Sequence, residues 1–169
     1  MKIALVQVAS PDDEPVERRR RRVAAMIAEA AGEGAELIVL PELWAVGYFA
    51  FDHYERHAEP ARGRTVTDLS ALAGELGVHI HAGSHVERLG DGFLRNTAAL
   101  LNPRGELVHS YSKIHVFGYQ SKEARLLRPG ERIAVADTDL GPVSSTTCYD
   151  LRFPELWQKI ADLGAELVL

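Results

Sequence analysis

Residues 36–41 are Glu36-Leu37-Ile38-Val39-Leu40-Pro41, an apolar, β-rich run that a proline ends. Such a run predicts a buried strand. A second β-rich run covers residues 3–8, and residues 15–32 between the two carry apolar side chains at helical spacing. A strand, a helix and a strand in this order form a β-α-β unit whose two strands are parallel. The stretch therefore predicts an α/β fold.

The rest of the chain continues the alternation of strands and helices. A helical pattern at residues 65–77 precedes a strand at 78–84, and the turn signal Pro103-Arg104-Gly105 separates residues 93–102 from 106–112. The two runs beside that turn predict an antiparallel pair. Additional strands are predicted at residues 133–137, 142–147 and 165–169, with a helix at 154–163. We therefore expect residues 1–169 to form one α/β domain with helices on at least one face of the sheet.

The composition is that of an ordinary globular domain and argues against two classes of partner. The chain has 169 residues, of which 46% are hydrophobic, and a net charge of -5. That charge argues against binding to nucleic acid, although residues 18–22 are consecutive arginines. We interpret the arginine run as a solvated helix face, balanced by the acidic residues among positions 12–17. No apolar stretch is long enough to span a membrane.

The cysteine content indicates a compartment. Cys148 is the single cysteine of the sequence, so the chain cannot form an internal disulfide, which fits a reducing environment. The first residues are a short strand-like run without the layout of a signal peptide. We therefore predict a cytoplasmic protein without a membrane partner.

Three polar residues come directly after predicted strands. They are Glu42, Lys113 and Cys148. In parallel α/β sheets the ligand crevice lies beyond the carboxyl ends of the strands, which makes these positions candidates for a site. Cys148 also lies where a strand gives way to a helix, a place that exposes a thiol near a positive helix end and favours its ionisation. Each residue has a simpler interpretation: Glu42 as a helix cap, Lys113 as a solvated charge, and Cys148 as a small buried hydrophobe.

Together the three side chains are a base, a cation and a thiol. A carboxylate at position 42 accepts the thiol proton, and an ammonium at position 113 stabilises the oxyanion that forms when sulfur attacks a carbonyl or nitrile carbon. The backbone N–H of Tyr149, the residue after the thiol, completes the oxyanion hole. These residue types are therefore compatible with covalent catalysis by Cys148, but their spacing alone does not establish that they meet.

The residues around the three positions form three segments: Pro41-Glu42-Leu43-Trp44 with Gly47-Tyr48, Tyr111-Ser112-Lys113-Ile114-His115-Val116-Phe117-Gly118, and Cys148-Tyr149-Asp150-Leu151-Arg152-Phe153-Pro154-Glu155. In this order they resemble the signature segments of the nitrilase superfamily of carbon-nitrogen hydrolases. The resemblance covers residues 1–169. It implies that Glu42 is the general base, Lys113 the oxyanion-stabilising cation and Cys148 the nucleophile. It also implies a second glutamate that positions the triad, best matched by Glu123.

The resemblance carries further expectations about fold and activity. It implies a four-layer α-β-β-α sandwich, usually assembled into homo-oligomers, and a chain that lacks the C-terminal part of the longer family domain. It implies hydrolysis of a small-molecule amide, N-carbamoyl or nitrile substrate through a cysteine-linked thioester, with release of ammonia or an amine and with neither cofactor nor metal. One alternative of a different class stays open, namely a catalytically incomplete fragment or a non-catalytic interaction subunit of the same fold.

Several other residues near the three segments are candidates for supporting roles. Trp44 and Tyr48 follow Glu42 closely and either wall the substrate pocket or belong to the core. His115 is a third candidate for the substrate pocket, where it would orient the lysine loop; the simpler interpretation is a loop hydrogen bond. Asp150, with Arg152 and Glu155, is expected to form a salt-linked brace around the nucleophile turn rather than to act in catalysis.

Three histidines raise the question of a metal site. His79 and His81 alternate along one predicted strand and so face the same way, with His85 nearby. No cysteine or carboxylate cluster joins them, and the chemistry implied above needs no ion. We therefore expect no metal at these positions.

Overall fold

The computed structural model describes residues 1–11 and 13–169, which form two β-sheets with helices packed against them. The strands are β1 (Ile3–Leu5), β2 (Leu37–Val39), β3 (His79–Arg88), β4 (Leu94–Leu101), β5 (Leu107–Ser112), β6 (Ala136–Thr138), β7 (Gly141–Ser144) and β8 (Leu167–Val168). The α-helices are α1 (Val16–Gly32), α2 (Tyr54–His57), α3 (Arg64–Leu76), α4 (Glu123–Leu126) and α5 (Pro154–Asp162). Two 3-10 helices cover Phe51–His53 and Cys148–Arg152.

The first sheet contains the predicted β-α-β unit. Its strand order is β1-β2-β3-β4-β5, with β1, β2 and β3 parallel and with β4 and β5 added as an antiparallel meander. The predicted parallel pair and the predicted antiparallel pair are both confirmed. Helices α1 and α3 cover one face of this sheet through apolar side chains such as Val23, Ile27, Leu69 and Ala73. Burial of this stripe is what holds the two helices on the sheet.

The second sheet is smaller and packs against the uncovered face of the first. Its order is β6-β7-β8, with β6 and β7 antiparallel and β7 and β8 parallel. Leu37 and Leu100 of the first sheet share a buried apolar cluster with Val143 of the second. Helix α5 connects β7 to the parallel strand β8, so it covers the outer face of the second sheet. The layers are therefore α-β-β-α.

Some elements differ from the sequence prediction. The strand predicted at residues 142–147 ends at Ser144 in β7, because the chain leaves the sheet to form the turn before Cys148. The helices α2 and α4 were not predicted, since each has four residues and is too short to show a period.

The arginine run lies in the first part of α1 and is largely neutralised. Arg19 is 2% exposed and donates to Glu14 and to backbone carbonyls, while Arg20 pairs with Glu59 and Arg22 pairs with Glu14. The run is therefore more buried than the expected solvated face. Asp12, one of the acidic residues expected to balance it, lies outside the described residues. In the part of the chain that the structure describes, no helix has the length and hydropathy to cross a membrane.

Candidate active site

Glu42 is placed by the chain segment that follows β2. The next residue, Leu43, has a φ of 48° and donates its N–H to Ser84 Oγ at 3.1 Å. Opposite, an irregularity in β3 puts Gly83 at a φ of 60°, and a Cβ on this glycine would lie 2.0 Å from the Pro41 carbonyl oxygen. The absence of a side chain at Gly83 thus lets β3 approach the segment that carries Glu42.

Lys113 follows β5 directly and is 1% exposed. Its N–H donates to the Asn96 carbonyl at 2.9 Å, and its own carbonyl accepts from Gly130 N–H at 2.8 Å. Its Nζ donates to Glu42 Oε1 at 2.9 Å and to the two carboxylate oxygens of Glu123 at 2.9 and 3.1 Å. The structure therefore brings together three of the residues that the sequence singled out.

Glu123 lies in the first turn of α4 and is fully buried. Besides Lys113, its Oε2 accepts from the Tyr48 hydroxyl and from the Phe117 N–H, each at 3.0 Å. Because both of its oxygens already accept hydrogen bonds, Glu123 is suited to hold Lys113 in place rather than to take up a proton.

The charge on Lys113 is maintained by its two carboxylate neighbours. Burial disfavours the ammonium, but the charges and hydrogen bonds of Glu42 and Glu123 outweigh it and raise the pKa of Lys113 above its ordinary value. The lysine is therefore a permanent cation in this site. Such a buried, preorganised cation is the group that stabilises a developing oxyanion.

Cys148 is the first residue of the 3-10 helix that follows β7. It has a φ of 53°, a left-handed conformation that is strained for a side chain of this kind, and it is exposed. A capping box fixes this turn, with Thr147 and Asp150 exchanging hydrogen bonds between side chain and backbone. The sharp turn that displays the thiol is thus confirmed.

The expectation that the thiol would be ionised is wrong. Partial desolvation, followed by the nearby negative charge of Glu42, raises the pKa of Cys148 to about 11, and the opposing effect of Lys113 is smaller. The next helix is also displaced, because the other four residues of the 3-10 helix and Phe153 separate Cys148 from α5. At neutral pH the sulfur therefore carries a proton and needs a base to remove it.

Asp150 links the cysteine turn to the lysine segment. Its carboxylate accepts hydrogen bonds from the Tyr111 hydroxyl at 2.7 Å, the His115 N–H at 2.9 Å and the Thr147 N–H at 3.0 Å. The prediction of a salt-linked brace with Arg152 and Glu155 is wrong, because both side chains are exposed. Asp150 instead forms a hydrogen-bonded brace with donors from β5, from the segment after it and from Thr147. The buried carboxylate thus fixes the cysteine turn and the lysine segment relative to each other.

The remaining candidates divide between the site and the core. Tyr48 is at the site, bonded to Glu123, and burial raises its pKa to about 12, so its hydroxyl stays a donor. His115 bonds Asp150 through its ring at 2.8 Å and stacks on Phe153 at 3.5 Å, which makes it part of the brace.

Trp44 is 3% exposed, lies in the core under α1 and α3, and donates its indole N–H to the Ala82 carbonyl. Its interpretation as a pocket wall is therefore replaced by the core interpretation.

The oxyanion donor predicted at Tyr149 has the required position in the backbone. Tyr149 is the second residue of the 3-10 helix, and the first N–H groups of a helix have no acceptor within it. Its ring packs edge-on against Phe117 and Phe153. The N–H of Tyr149 is thus available to a ligand next to Cys148.

One residue at the site was missed by the sequence analysis. Asn96 lies in β4, is fully buried, and donates from Nδ2 to Glu42 Oε1 at 2.7 Å. An asparagine in a strand carries no sequence signal that distinguishes this role from a structural one. The pairing of β4 with β5, which places Asn96 opposite the end of β5, reveals its proximity to Glu42 and Lys113.

His79 and His81 alternate along β3 as predicted, but His81 and His85 do not face the same way. His81 pairs with Leu100 and His85 pairs with Thr97, and because these partners are three residues apart on β4, the two histidines point to opposite faces of the sheet. Within the described residues, no group of three histidine, cysteine, aspartate or glutamate side chains has the spacing to hold a metal ion.

Comparison with known proteins places the chain in a family. The family model described as carbon-nitrogen hydrolase matches residues 2–169. The chain belongs to this family of carbon-nitrogen hydrolases. It is 35% identical over 173 residues to a 2-oxoglutaramate amidase of Paenarthrobacter nicotinovorans, a match that covers 98% of this chain and 58% of that protein. It is also 34% identical over 154 residues to the omega-amidase NIT2 of Homo sapiens, covering 88% of this chain and 55% of that protein.

Solved structures of the family have the same architecture. Nit3 of Saccharomyces cerevisiae, a member of the nitrilase superfamily, matches 99% of this chain with a TM-score of 0.87 and 30% identity, over 62% of its own length. A glutamate-to-glutamine mutant of an amidase from Nesterenkonia sp. AN1, with the acetamide moiety of fluoroacetamide added covalently at its active-site cysteine, matches with a TM-score of 0.85 and 28% identity. The carbon-nitrogen hydrolase chain described here thus has the nitrilase fold and spans somewhat more than half the length of these relatives.

Proposed function

We propose that the protein hydrolyses a small-molecule amide through a thioester on Cys148, with release of ammonia. One observation carries this proposal. The ammonium of Lys113 donates hydrogen bonds to two carboxylates, those of Glu42 and Glu123, and the thiol of Cys148, whose pKa is raised in part by Glu42, lies beside them. The cluster contains a base, an oxyanion-stabilising cation and a nucleophile, which are the three groups that acyl transfer requires.

In the first half of the reaction, sulfur attacks the amide carbon. Glu42 takes the proton from Cys148 as the carbon–sulfur bond forms, and the carbonyl oxygen becomes an oxyanion that Lys113 and the Tyr149 N–H stabilise. Glu42 then gives its proton to the nitrogen, the carbon–nitrogen bond breaks, and ammonia leaves. A thioester remains on the enzyme.

In the second half, water replaces ammonia as the partner of Glu42. The carboxylate removes a proton from the water while the oxygen attacks the thioester carbon, and the same oxyanion contacts act again. The carbon–sulfur bond then breaks, the proton held by Glu42 returns to the sulfur, and the carboxylic acid leaves. Enzyme, thiol and base are restored.

The charge balance of the cluster supports this path. Glu42, Glu123 and Lys113 carry a net charge of about −1 in the resting state. Direct loss of the thiol proton to solvent would add a second negative charge, which the raised pKa of Cys148 disfavours. Transfer of the proton to Glu42 leaves the net charge unchanged, so the proton stays within the cluster during the attack.

The substrate class we infer is the terminal carboxamide of a small carboxylic acid. Both curated relatives described above are amidases, one named for 2-oxoglutaramate and one for omega-amides. N-carbamoyl compounds and nitriles are the other substrates that the same chemistry accepts. We keep assembly into homo-oligomers, location in the cytoplasm and a single domain over residues 1–169 as predictions.

Ammonia release from a substrate panel tests the proposal. The panel contains 2-oxoglutaramate, succinamate, butyramide, an N-carbamoyl amino acid and an aliphatic nitrile, assayed with the wild-type protein and with Cys148→Ala. We expect release that requires Cys148, fastest with the dicarboxylic monoamides. Glu155→Gln, a change at an exposed glutamate, serves as the control with unchanged activity. Absence of Cys148-dependent release across the panel would leave only the non-catalytic alternative.

The covalent intermediate has its own test. Treatment with fluoroacetamide followed by mass spectrometry should show one adduct on the peptide that contains Cys148, the single cysteine of the chain. An unmodified Cys148 together with a modified residue elsewhere would contradict the nucleophile assignment.

A further inference from the structure

Asn96 contacts both Glu42, the proposed base, and the backbone of Lys113. Its Nδ2 donates to Glu42 Oε1 at 2.7 Å, and its backbone carbonyl accepts the N–H of Lys113 at 2.9 Å. The side chain is fully buried, so water does not compete for the hydrogen bond to Glu42. A single residue of β4 therefore ties two strand ends together.

These contacts distinguish the two oxygens of Glu42. Oε1 accepts from Asn96 Nδ2 at 2.7 Å and from Lys113 Nζ at 2.9 Å. Both of its favourable acceptor directions are thereby used, whereas Oε2 accepts from neither of these donors. A proton that arrives from a thiol is then best received by Oε2.

The other end of the Asn96 side chain makes no hydrogen bond within the described residues. Its Oδ1 is buried without a hydrogen-bond partner among the described residues. An unpaired buried acceptor costs folding free energy, and an apolar side chain of similar size would avoid that cost. The hydrogen bonds made by Asn96 to the site are therefore those of Nδ2 and of the backbone carbonyl.

We propose that Asn96 is a positioning residue for the general base: it orients the Glu42 carboxylate and leaves Oε2 free to exchange protons with Cys148 and the leaving group. This inference rests on the proposed function. A hydrogen-bond donor stabilises the charged form of a carboxylate, so loss of the amide shifts Glu42 toward its protonated form.

The other groups around Glu42 are side chains of other elements, so a replacement of Asn96 leaves their identities unchanged. Lys113 comes from the end of β5, Glu123 from α4 and Cys148 from the turn after β7, while Tyr54 comes from α2 and is itself coupled to the charge of Glu42. In Asn96→Ala, which adds no charge, a change in the titration of Glu42 is therefore attributable to the lost donor.

The test compares Asn96→Asp and Asn96→Ala with a matched control. Asn102 is also buried, follows the same strand, and donates from Nδ2 to the Glu106 carboxylate at 2.6 Å, but it lies at a turn away from the proposed site. Asn102→Asp thus makes the same chemical change in a structural setting. For each variant, the titration midpoint of Glu42 is measured by ¹³C NMR, with Glu42→Gln to assign the resonance, alongside the pH profile of kcat/KM.

We expect the titration midpoint of Glu42 and the acid limb of kcat/KM to move to higher pH by about one unit in both Asn96 variants, and further in Asn96→Asp because two adjacent carboxylates share a proton. We also expect kcat/KM at neutral pH to fall about 10- to 100-fold, the effect of one hydrogen bond to a charged group. Asn102→Asp should lower the melting temperature without either shift. Should Asn96→Asp fail to fold, Asn96→Ala gives the same comparison.

An unchanged Glu42 midpoint in a folded Asn96 variant would overturn the inference, even if activity fell. The NMR titration does not depend on turnover, so it decides the role of Asn96 separately from the proposed function. If wild-type protein releases no ammonia from any amide, the proposed function fails while the midpoint still shows whether Asn96 controls the protonation of Glu42.

Discussion

Both carboxylate oxygens of Glu123 lie close to Lys113 Nζ, at 2.9 and 3.1 Å, and neither residue has a solvent-exposed side chain. A buried ion pair of this kind contributes little to stability compared with an apolar pair, but removal of one partner leaves an uncompensated charge. The stability of the fold therefore depends on the presence of both charged side chains, Lys113 and Glu123.

Replacement of Glu123 by alanine should destabilise the protein strongly. Lys113 would keep Glu42 as its single carboxylate, and the hydroxyl of Tyr48 and the N–H of Phe117 would lose their acceptor. We expect the free energy of unfolding, measured with urea, to fall by about 3–5 kcal/mol. Glu131→Ala is the control, because Glu131 is 78% exposed in its pair with Arg95, and a surface pair contributes about 0–1 kcal/mol. Equal losses in the two variants would contradict the anchoring role of Glu123.

Glu42→Gln should make the thiol easier to ionise and the enzyme slower. The negative charge of Glu42 is one cause of the raised pKa of Cys148, about 11, so its removal lowers that pKa. The proposed general base is lost at the same time, and we expect kcat to fall by about 100- to 10,000-fold. The ¹³C shift of the Cys148 β-carbon reports the thiol titration without overlap, because the chain has one cysteine. A Cys148 pKa that stays at its wild-type value or rises would show that Glu42 does not interact with the thiol as described.

The sequence was sufficient to predict those features that depend on local patterns. The parallel pair of β1 and β2 followed from a strand–helix–strand pattern, and the polar residues at strand ends followed from the geometry of parallel sheets. Glu42, Lys113 and Glu123 meet in the structure because three separate strand ends or loops converge at one edge.

The features that were missed depend on register and on long-range contact. The position of Asn96 opposite the end of β5 is set by strand pairing, which no local pattern encodes. The environment of Trp44 depends on the path of the chain after β2, which is fixed by the left-handed Leu43 and its bond to Ser84. The pKa of Cys148 depends first on its partial desolvation in the fold and then on the charge of Glu42, which is more than 100 positions earlier in the chain.

The buried His81 predicts that the free energy of unfolding decreases at acidic pH. Burial, together with the neighbouring His109, lowers the pKa of His81 from an ordinary value near 6.5 to about 4. Between these values the unfolded chain binds a proton at His81 and the folded chain does not, so stability falls as the pH falls through this window. From pH 7 to pH 5 we expect His81 alone to lower the free energy of unfolding by about 2 kcal/mol.

His81→Leu tests this assignment. Both ring nitrogens of His81 lack partners among the described residues, and the strand neighbour Leu100 belongs to the apolar cluster between the sheets, so leucine fits the site chemically. Urea unfolding of His81→Leu should show a smaller drop between pH 7 and pH 5 than wild type. His53→Leu, at an exposed histidine, should leave the drop unchanged. If the wild-type and His81→Leu slopes are the same, His81 is not the proton-linked group.

Gly83→Ala should reduce activity more than its effect on stability explains, because it displaces Glu42, the proposed base. A Cβ at position 83 would lie 2.0 Å from the Pro41 carbonyl oxygen, so the segment that carries Glu42 has to move, and the φ of 60° adds about 1–2 kcal/mol of backbone strain. We expect lower stability and a kcat loss larger than the stability loss explains, because displacement of Glu42 breaks its bonds to Lys113 and Asn96. Gly32→Ala is the matched control, since nothing lies within 4 Å of a Cβ there. Activity of Gly83→Ala equal to that of Gly32→Ala at a temperature where both are folded would show that the position of Glu42 does not depend on the close approach of β3.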